Sequence, residues 1–446
     1  MNALLLFVIF FGLIFIGFPI AISLGISSII ILFLIDGMMG LNVIADVMYT
    51  SIAKFTLLAI PFFILAGVIM EHAGISGKLI NLADKLVGHH KSGIVFITAL
   101  VAIFFAAISG SGPATVAAIG GILIPALIKN GYKKETAASL VASTGSIGII
   151  IPPSIAFIVF AVVAGDQIPV SIGRLFIAGI FPGILLAIGL VGAALFVRWR
   201  QDKQLIRAHH EEEIVKQEKT KRASGKEIIK AFIEAFWGLL IPIIILGGIY
   251  GGFFTPTEAA VVAVFYGLFV GIFIYRVLTI KKLYTIFLEA SIQTAIVMLV
   301  VSTASIFAHI ITTERYARDI SDLLLGVSDN PIIVLLLINL ILLLAGAFID
   351  AISAFYIFVP ILLPIILFFE IDPTVFGVFM TVNLAIGLFT PPVGLNLYVA
   401  SGISDSSLLS ISKAVIPFLV AALIVLLLIT FIPAISTFLP DLLNVT

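Results

Sequence analysis

The chain has 446 residues, of which 61% are hydrophobic and only 11% are charged, and its 24 Lys and Arg residues balance its 24 Asp and Glu residues. Soluble proteins carry about 25% charged residues, so this composition excludes a soluble globular protein. The absence of cysteine excludes disulfides, thiolate metal sites and thiol nucleophiles. Continuous apolar runs such as residues 332–347, which lack the period-two alternation of barrel strands, predict an all-α polytopic membrane protein.

The first apolar run begins at the N-terminus without a basic segment before it and without a small-residue cleavage site after it. We therefore expect this run to be a retained span and not a removable signal peptide.

One long polar stretch, residues 198–230, divides the chain into apolar parts over residues 1–197 and 231–446. Its mixed Lys and Glu content predicts a charged connector at the cytoplasmic surface and argues against a nucleic-acid-binding surface. The two apolar parts share landmarks at a constant spacing. Advancing the first part by 239 residues places Pro125 on Pro364, Gly148 on Gly387, and Pro152-Pro153 on Pro391-Pro392. The sequence therefore predicts two structural repeats.

Each repeat contains two polar or proline-bearing interruptions inside apolar sequence. We predict a re-entrant hairpin at about 91–130 and a broken helix at about 136–165, and then a hairpin at about 330–370 and a broken helix at about 374–403. Gly and Pro at such points free backbone carbonyls and amides, which a bilayer tolerates only where they face protein, water or a ligand.

Charge at the hairpin ends predicts the relative orientation of the repeats. Bases flank the first hairpin, at Lys85, His89, His90, Lys91, Lys129, Lys133 and Lys134, whereas acids flank the second, at Asp319, Asp322, Asp329, Glu370 and Asp372. Basic ends favour the cytoplasm, so the hairpins enter from opposite faces, as in the inverted-topology repeats of secondary transporters. With the connector cytoplasmic and both termini outside, 20 Lys and Arg residues lie inside and four lie outside.

The interruptions supply two kinds of polar group. Freed carbonyls with Ser and Thr hydroxyls suit Na⁺, and the amides of a half-helix N-terminus favour an anion. One hairpin tip and one broken helix in each repeat predict two cation sites with an anionic substrate between them. Asp350 stands out because a carboxylate at membrane depth costs about 2.5 to 3.5 kcal/mol unless it is paired, hydrated or protonated.

Five motifs together give a family resemblance. They are the strings SGSGPAT at 109–115, GIIIPPS at 148–154, FVPILLP at 358–364, IDP at 371–373 and IGLFTPPVG at 386–394. With them, the chain resembles the large membrane subunit of tripartite ATP-independent periplasmic (TRAP) transporters over nearly its whole length. The resemblance implies an elevator-type, Na⁺-coupled importer in a bacterial or archaeal inner membrane. It also implies a small four-helix membrane subunit on a separate chain and an extracytoplasmic binding protein that delivers a carboxylate.

The resemblance further implies site residues. Sodium would be held by Ser109, Gly110, Ser111, Gly145, Ser146 and Gly148 in the first repeat and by Gly346, Asp350, Ser353, Gly387 and Thr390 in the second. The substrate would be bordered by Pro152, Pro153, Ser154, Pro391, Pro392 and Asn396. Glu370 and Val375 depart from the family pattern, which more often has Gly and His there, and this departure affects the expected docking surface more than the ion sites.

Other functions remain open from the sequence. A stand-alone Na⁺-coupled anion transporter would use similar hairpins without a binding protein. An intramembrane serine protease would require Ser111 to lie close to a base such as His309. A channel is also possible, but the paired hairpins and broken helices suit alternating access better than an open pore. C4-dicarboxylates, sialic acids, sugar acids and keto acids are all compatible substrates.

Overall fold

A computed structural model describes residues 2–89, 92–207 and 222–445. Those residues are built from helices and turns, with no strand among them. The first half contains α1 (Asn2–Ile16), α2 (Ile20–Asp36), α3 (Asn42–Ile52), α4 (Ala59–His72), α5 (Ile75–Val87), α6 (Gly93–Ser109), α7 (Gly112–Lys129), α8 (Lys134–Gly145), α9 (Ile155–Ala164) and α10 (Ile172–Arg207). Short 3₁₀ turns at Phe55–Leu58 and Ser146–Ile149 precede α4 and follow α8.

The second half is helical throughout as well. It contains α11 (Gly225–Tyr250), α12 (Pro256–Phe269), α13 (Ile280–Thr313), α14 (Tyr316–Leu325), α15 (Pro331–Gly346), α16 (Ala351–Phe368), α17 (Pro373–Gly387), α18 (Leu395–Ser404), α19 (Leu408–Ala414), α20 (Ile416–Phe431) and α21 (Ala434–Leu442). A π-helical turn, Val270–Ile274, extends α12.

Seven helical segments of the described chain are long and apolar enough to cross a membrane, and α19 with α20 makes an eighth if that pair, bent by 52°, is one span. The seven are Phe55–His72, Gly112–Lys129, Ile172–Lys203, Gly225–Tyr250, Pro256–Ile274, Ile280–Thr313 and Ala351–Phe368. The predicted all-α polytopic membrane class is therefore confirmed.

Helix packing separates the described chain into two groups. In the first group, α2 and α4 pack against α13, α4 also packs against α12, and α5 packs against α11. In the second group, α7 packs against α8 and α18, α15 against α17, and α10 against α20 and α21. The groups meet where α13 contacts α16 and where α5 and α4 contact α6. We call them the first and second helix groups below.

Helix bounds repeat at the spacing found in the sequence. Advancing by 239 residues places Gly112–Lys129 on Ala351–Phe368, and it places the start of α8 at Lys134 on the start of α17 at Pro373. The residue at which the backbone turns after each of the matched helices α7 and α16 also corresponds, because Gly131 has φ +83° and Glu370 has φ +53°.

The predicted connector is helical at both described ends. Helix α10 continues without interruption to Arg207, so the boundary expected at residue 198 falls inside a helix. Arg198 stabilises this extension because it pairs with Asp202 at 3.1 Å and lies over the ring of Tyr132 at 5.3 Å. Residues 208–221 of the connector, and His90 and Lys91 beside the first hairpin, lie outside the described residues.

Candidate substrate and ion site

Both hairpin tips and both helix breaks meet at one cavity of about 360 Å³. The first tip contributes Gly110, Ser111, Gly112 and Pro113, and the second contributes Asp350, Ala351 and Ile352. The breaks contribute Ile149, Ile155, Ala156, Leu388 and Leu395. The wall is completed from the first helix group by Pro19, Ile20 and Ala21 and by Ile296, Val297 and Val300 of α13. The cavity therefore lies between the two helix groups.

The first tip is held by its own hydroxyls. Ser109 Oγ lies 2.8 Å from Thr115 Oγ1, and Thr115 donates to the Ser111 carbonyl at 2.7 Å. Gly110 has φ +61°, a left-handed conformation that glycine adopts without steric cost, and this lets α6 end directly before α7 begins. Ser111 is the N-cap residue of α7, but its side chain makes no capping hydrogen bond. The first turn of α7 therefore lacks a side-chain cap where it borders the cavity.

The first helix break packs directly against this tip. A Cβ atom placed on Gly148 would lie 2.6 Å from the Ser111 carbonyl oxygen and 2.6 Å from Thr115 Oγ1. A Cβ atom on Gly145 would collide with Val116 Cγ2 of α7. Only glycine allows such close packing at these two positions. The structure thus brings the two predicted sodium-ligand segments of the first repeat together.

The second tip is organised by a carboxylate. Asp350 accepts hydrogen bonds from the backbone amides of Ile352 at 2.9 Å and Ser353 at 3.2 Å, and from the Ser353 hydroxyl at 2.5 Å. The sequence suggests a lone carboxylate at membrane depth, but the structure shows it satisfying amides that the start of α16 would otherwise leave unpaired. Part of the cost of placing Asp350 there is therefore offset by capping.

The second helix break packs against the second tip in the same way. A Cβ atom on Gly387 would lie 2.6 Å from both the Cα atom and the carbonyl oxygen of Gly346. The amide of Gly394 donates to the Ala347 carbonyl at 3.3 Å. The Thr390 hydroxyl donates to the Ile386 carbonyl at 2.7 Å, which leaves the hydroxyl oxygen able to accept a further contact. In the first repeat, the Ser146 hydroxyl donates to the Ser143 carbonyl at 2.6 Å, so its oxygen can likewise accept a further contact.

The residues predicted to border the substrate shape the breaks and do not line this cavity. Pro152, Pro153 and Ser154 are buried, and Ser154 caps α9 by accepting from the Phe157 amide. The bonds Pro152-Pro153 and Pro391-Pro392 are both cis. Their neighbours along the chain, such as Ile149 and Leu388, form the wall instead.

Asn396 is fully buried and links the two repeats. Its side-chain amide donates to the Ala142 carbonyl of α8 at 2.9 Å, and its backbone amide donates to the Leu388 carbonyl at 2.9 Å. A Cβ atom on Gly112 would lie 3.2 Å from Asn396 Oδ1. Asn396 therefore supports the first tip from behind.

Two kinds of site residue were not predicted. Thr115 lies within a predicted motif, and its hydroxyl spacing four residues after Ser111 is a signal for a local hydrogen bond. The wall residues of α13, such as Ile296 and Val300, carry no such signal. In an apolar span, the sequence pattern does not distinguish an apolar residue that faces lipid from one that faces a cavity.

The serine protease alternative finds no support in the geometry. Ser111 lines the central cavity, whereas His309 lines a different cavity together with Lys54 and Asp166. Within the described part of the chain, these two cavities share no lining residue.

In the described chain, at least seven apolar helices long enough to cross a membrane, together with two hairpin tips at one cavity, are features that membrane transporters share. The chain has the fold of the Alcanivorax borkumensis YdaH transporter, with a TM-score of 0.59, 89% of each chain covered and 13% sequence identity.

The sequence comparisons define the family. Residues 7–435 match the family model described as the tripartite ATP-independent periplasmic transporter, DctM component. The chain belongs to this family and is a TRAP transporter large permease subunit, not an enzyme.

Individual relatives differ in the substrate that their names give. The chain is 39% identical to the C4-dicarboxylate TRAP transporter large permease protein DctM of Vibrio cholerae, covering 99% of this chain and 98% of that one. It is 37% identical to the sialic acid TRAP transporter large permease protein SiaM of the same species, covering 97% of this chain and 96% of that one. It is 43% identical to the isethionate TRAP transporter permease protein DctMQ of Oleidesulfovibrio alaskensis, covering 95% of this chain but spanning only 64% of that longer protein.

Proposed function

We propose that this subunit carries a small organic acid into the cell in a Na⁺-coupled, elevator-type step, after an extracytoplasmic binding protein delivers the acid. The observation that carries the proposal is the convergence of both hairpin tips and both helix breaks on one cavity. Relatives named for C4-dicarboxylates and sialic acid support an organic acid as the substrate. The location that goes with this function is the inner membrane, with both termini outside and the 198–230 connector in the cytoplasm.

Two Na⁺ sites are proposed, one at each tip and its facing break. Ser and Thr hydroxyls that donate to carbonyls keep oxygen lone pairs available, and hard oxygen ligands suit Na⁺. The first site would use Ser109, Gly110, Ser111, Gly145, Ser146 and Gly148, and the second would use Gly346, Asp350, Ser353, Gly387 and Thr390. The contacts of Gly148 with the first tip and of Gly387 with the second support these groupings.

The substrate anion is proposed to face the first tip. Helix α7 begins there without a side-chain cap, so the amides of Gly112 and Ala114 and the positive end of its dipole remain available, while Pro113 has no N–H to offer. The corresponding end of α16 is already capped by Asp350. A cation beside Asp350 would at the same time lower the repulsion between that carboxylate and the substrate.

The elevator step is proposed to move the second helix group, with both tips and both breaks, past the first. An ion pair joins the groups on the proposed outer side, where Lys54 lies 2.7 Å from Asp166. Both side chains are partly exposed, so this pair contributes little stability and can separate during movement. The repeats of 1–197 and 231–446 would be inverted relative to each other. Each helix group contains helices from both repeats, so each would have corresponding elements on the two sides of the membrane.

The function can be tested in proteoliposomes that contain this chain, a small four-helix TRAP subunit and the binding protein. We expect uptake of the bound acid only with an inward Na⁺ gradient and only when all three proteins are present. Uptake by this chain alone would favour the stand-alone transporter. Uptake that ignores the Na⁺ gradient would contradict the coupling.

The elevator step has its own test. Because the chain has no native cysteine, cysteines placed at Lys54 and Asp166 can be joined by a bifunctional maleimide. The cross-link should abolish uptake, whereas either single cysteine treated in the same way should retain it. Full uptake by the cross-linked protein would show that the two groups need not separate.

A further inference from the structure

The walls of the central cavity are almost entirely apolar. Among the described side chains that line it, only Ser111 and Asp350 carry polar atoms, and no Lys, Arg or His is present. Branched aliphatic residues from four separate regions face the space, including Ile20, Ile149, Ile296, Val300 and Leu388. A ligand that fills the cavity must therefore place most of its surface against hydrocarbon.

The two polar side chains lie at the tips and are not equivalent. Asp350 already accepts three hydrogen bonds from its own turn and, when ionised, offers no donor to a ligand. The Ser111 hydroxyl makes no capping bond and stands at the uncapped start of α7. The cavity can thus receive one anionic group well, at the first tip, and has no second place for another.

This arrangement discriminates among organic acids. A second carboxylate would face either aliphatic wall or Asp350, and neither compensates for its loss of water. The hydroxyls of a sugar acid would meet the same wall, and buried polar groups without partners are costly. An apolar body gains about fourfold in affinity for each buried methylene.

We propose that this permease is selective for a monocarboxylate with an apolar body, such as an aliphatic or branched-chain acid, over dicarboxylates and polyhydroxylated acids. The proposal rests on the proposed function, because it assigns the substrate class of the same cavity. It also predicts that contacts with apolar wall residues of the membrane subunit determine selectivity. Helix α13 of the first helix group supplies three of these residues, Ile296, Val297 and Val300.

Calorimetric titration of the full chain in lipid nanodiscs tests the proposal, with Na⁺ or with choline as the cation. The probes are butanoate, pentanoate, hexanoate, 4-methyl-2-oxopentanoate, succinate and N-acetylneuraminate. In Na⁺ we expect affinity to rise about fourfold per methylene along the straight-chain series, and we expect succinate and N-acetylneuraminate to bind at least about tenfold more weakly than hexanoate.

A matched pair of variants locates the effect. Val300→Ser places a hydroxyl in the wall and should weaken hexanoate binding about tenfold with little change for butanoate. Leu299→Ser makes a similar change on the adjacent residue, which is 48% exposed and does not line the cavity, and should leave the series unchanged.

The substrate class and the proposed function can be overturned separately. Tightest Na⁺-dependent binding of succinate or N-acetylneuraminate would overturn the substrate class and leave Na⁺-coupled acid transport standing. A flat affinity along the straight-chain series would likewise overturn it, even if Val300→Ser does not fold. No Na⁺-dependent binding of any probe would also overturn the substrate class, whereas absence of Na⁺-dependent uptake in the three-protein proteoliposomes would overturn the proposed function itself.

Discussion

The first and second hairpin tips occupy corresponding places around one cavity, yet the helices that follow them, α7 and α16, begin in different ways. At the first tip, Ser111 leaves the start of α7 without a side-chain cap, and the local hydrogen bonds join neutral hydroxyls. At the second tip, Asp350 caps α16 through two backbone amides and the Ser353 hydroxyl. The helix starts at Gly112 and Ala351 correspond at the repeat spacing, but the groups that cap them differ in charge.

The difference indicates a division of labour between repeats that share one architecture. An uncapped helix start attracts an anion, and a carboxylate beside the same cavity attracts a cation. Placing the two beside one cavity allows a salt of Na⁺ and an organic acid to be held without any Lys or Arg among the described lining residues. Variants at matched positions of the two tips test this division of labour.

The largest expected effect is that of Asp350→Asn. The change keeps the shape and a weaker cap but removes the charge, so Na⁺ affinity should fall about a hundredfold, since a hydrogen-bonded charged group contributes about 2 to 3 kcal/mol. Initial uptake rates against Na⁺ concentration measure this. Ser111→Ala at the first tip should weaken Na⁺ binding only about fivefold. Equal losses at the two tips, or unchanged Na⁺ dependence in Asp350→Asn, would remove the proposed division.

The next effect concerns the glycines at which each break touches its tip. Gly148→Ala and Gly387→Ala each force a methyl group to within 2.6 Å of the facing tip, so we expect a loss of about 1 to 3 kcal/mol of stability and a loss of Na⁺-dependent thermal stabilisation.

Two helical glycines nearby serve as controls. A Cβ atom on Gly121 of α7 or on Gly402 of α18 meets nothing within 4 Å, so Gly121→Ala and Gly402→Ala should preserve the thermal shift produced by Na⁺. If Na⁺ stabilises Gly148→Ala against heat as much as it stabilises Gly121→Ala, the close contact of break and tip has no part in ion binding.

The sequence predicts the helical class, the family and the residues that meet at the tips, because Gly, Pro and Ser interruptions are visible against an apolar background. The pairing of Gly148 with Ser111 and of Gly387 with Gly346 follows from motifs that the sequence singles out. Asp is a preferred N-cap residue, so the position of Asp350 before the apolar run of α16 is a signal for its capping role. The wall residues of α13 are apolar residues in an apolar span, and no pattern distinguishes them. The inversion of the repeats stays a prediction.

A smaller effect is expected at Asn396, where the repeats differ again. The position that matches Asn396 in the first repeat is Phe157, so only the second break sends a buried amide to the other repeat, at the Ala142 carbonyl. Asn396→Ala should lower stability by about 1 to 2 kcal/mol, because it leaves that carbonyl unpaired beside the break in α8. Na⁺ affinity should stay within about twofold, since Asn396 is not among the proposed Na⁺ ligands. A large change in Na⁺ affinity at unchanged melting temperature would place Asn396 in the site.

The smallest effect compares the turns that follow α7 and α16. At the first, the amides of Gly131 and Tyr132 donate to the carbonyls of Ile128 and Leu127. At the second, the amides of Glu370 and Ile371 make the corresponding bonds to Leu367 and Ile366.

Both turns need a left-handed residue, but only the first has glycine. A non-glycine residue in this conformation costs about 1 to 2 kcal/mol, whereas glycine loses about 0.5 to 1 kcal/mol through the greater freedom of the unfolded chain.

Glu370→Gly should therefore raise stability by about 1 kcal/mol or less, which thermal unfolding in nanodiscs can measure. Gly131→Ala should lower stability by at least as much, because its Cβ atom would also lie 2.7 Å from the Arg198 guanidinium. If Glu370→Gly instead destabilises the protein, the Glu370 side chain makes a favourable interaction that exceeds the backbone cost, and the two turns are matched in geometry but not in energy.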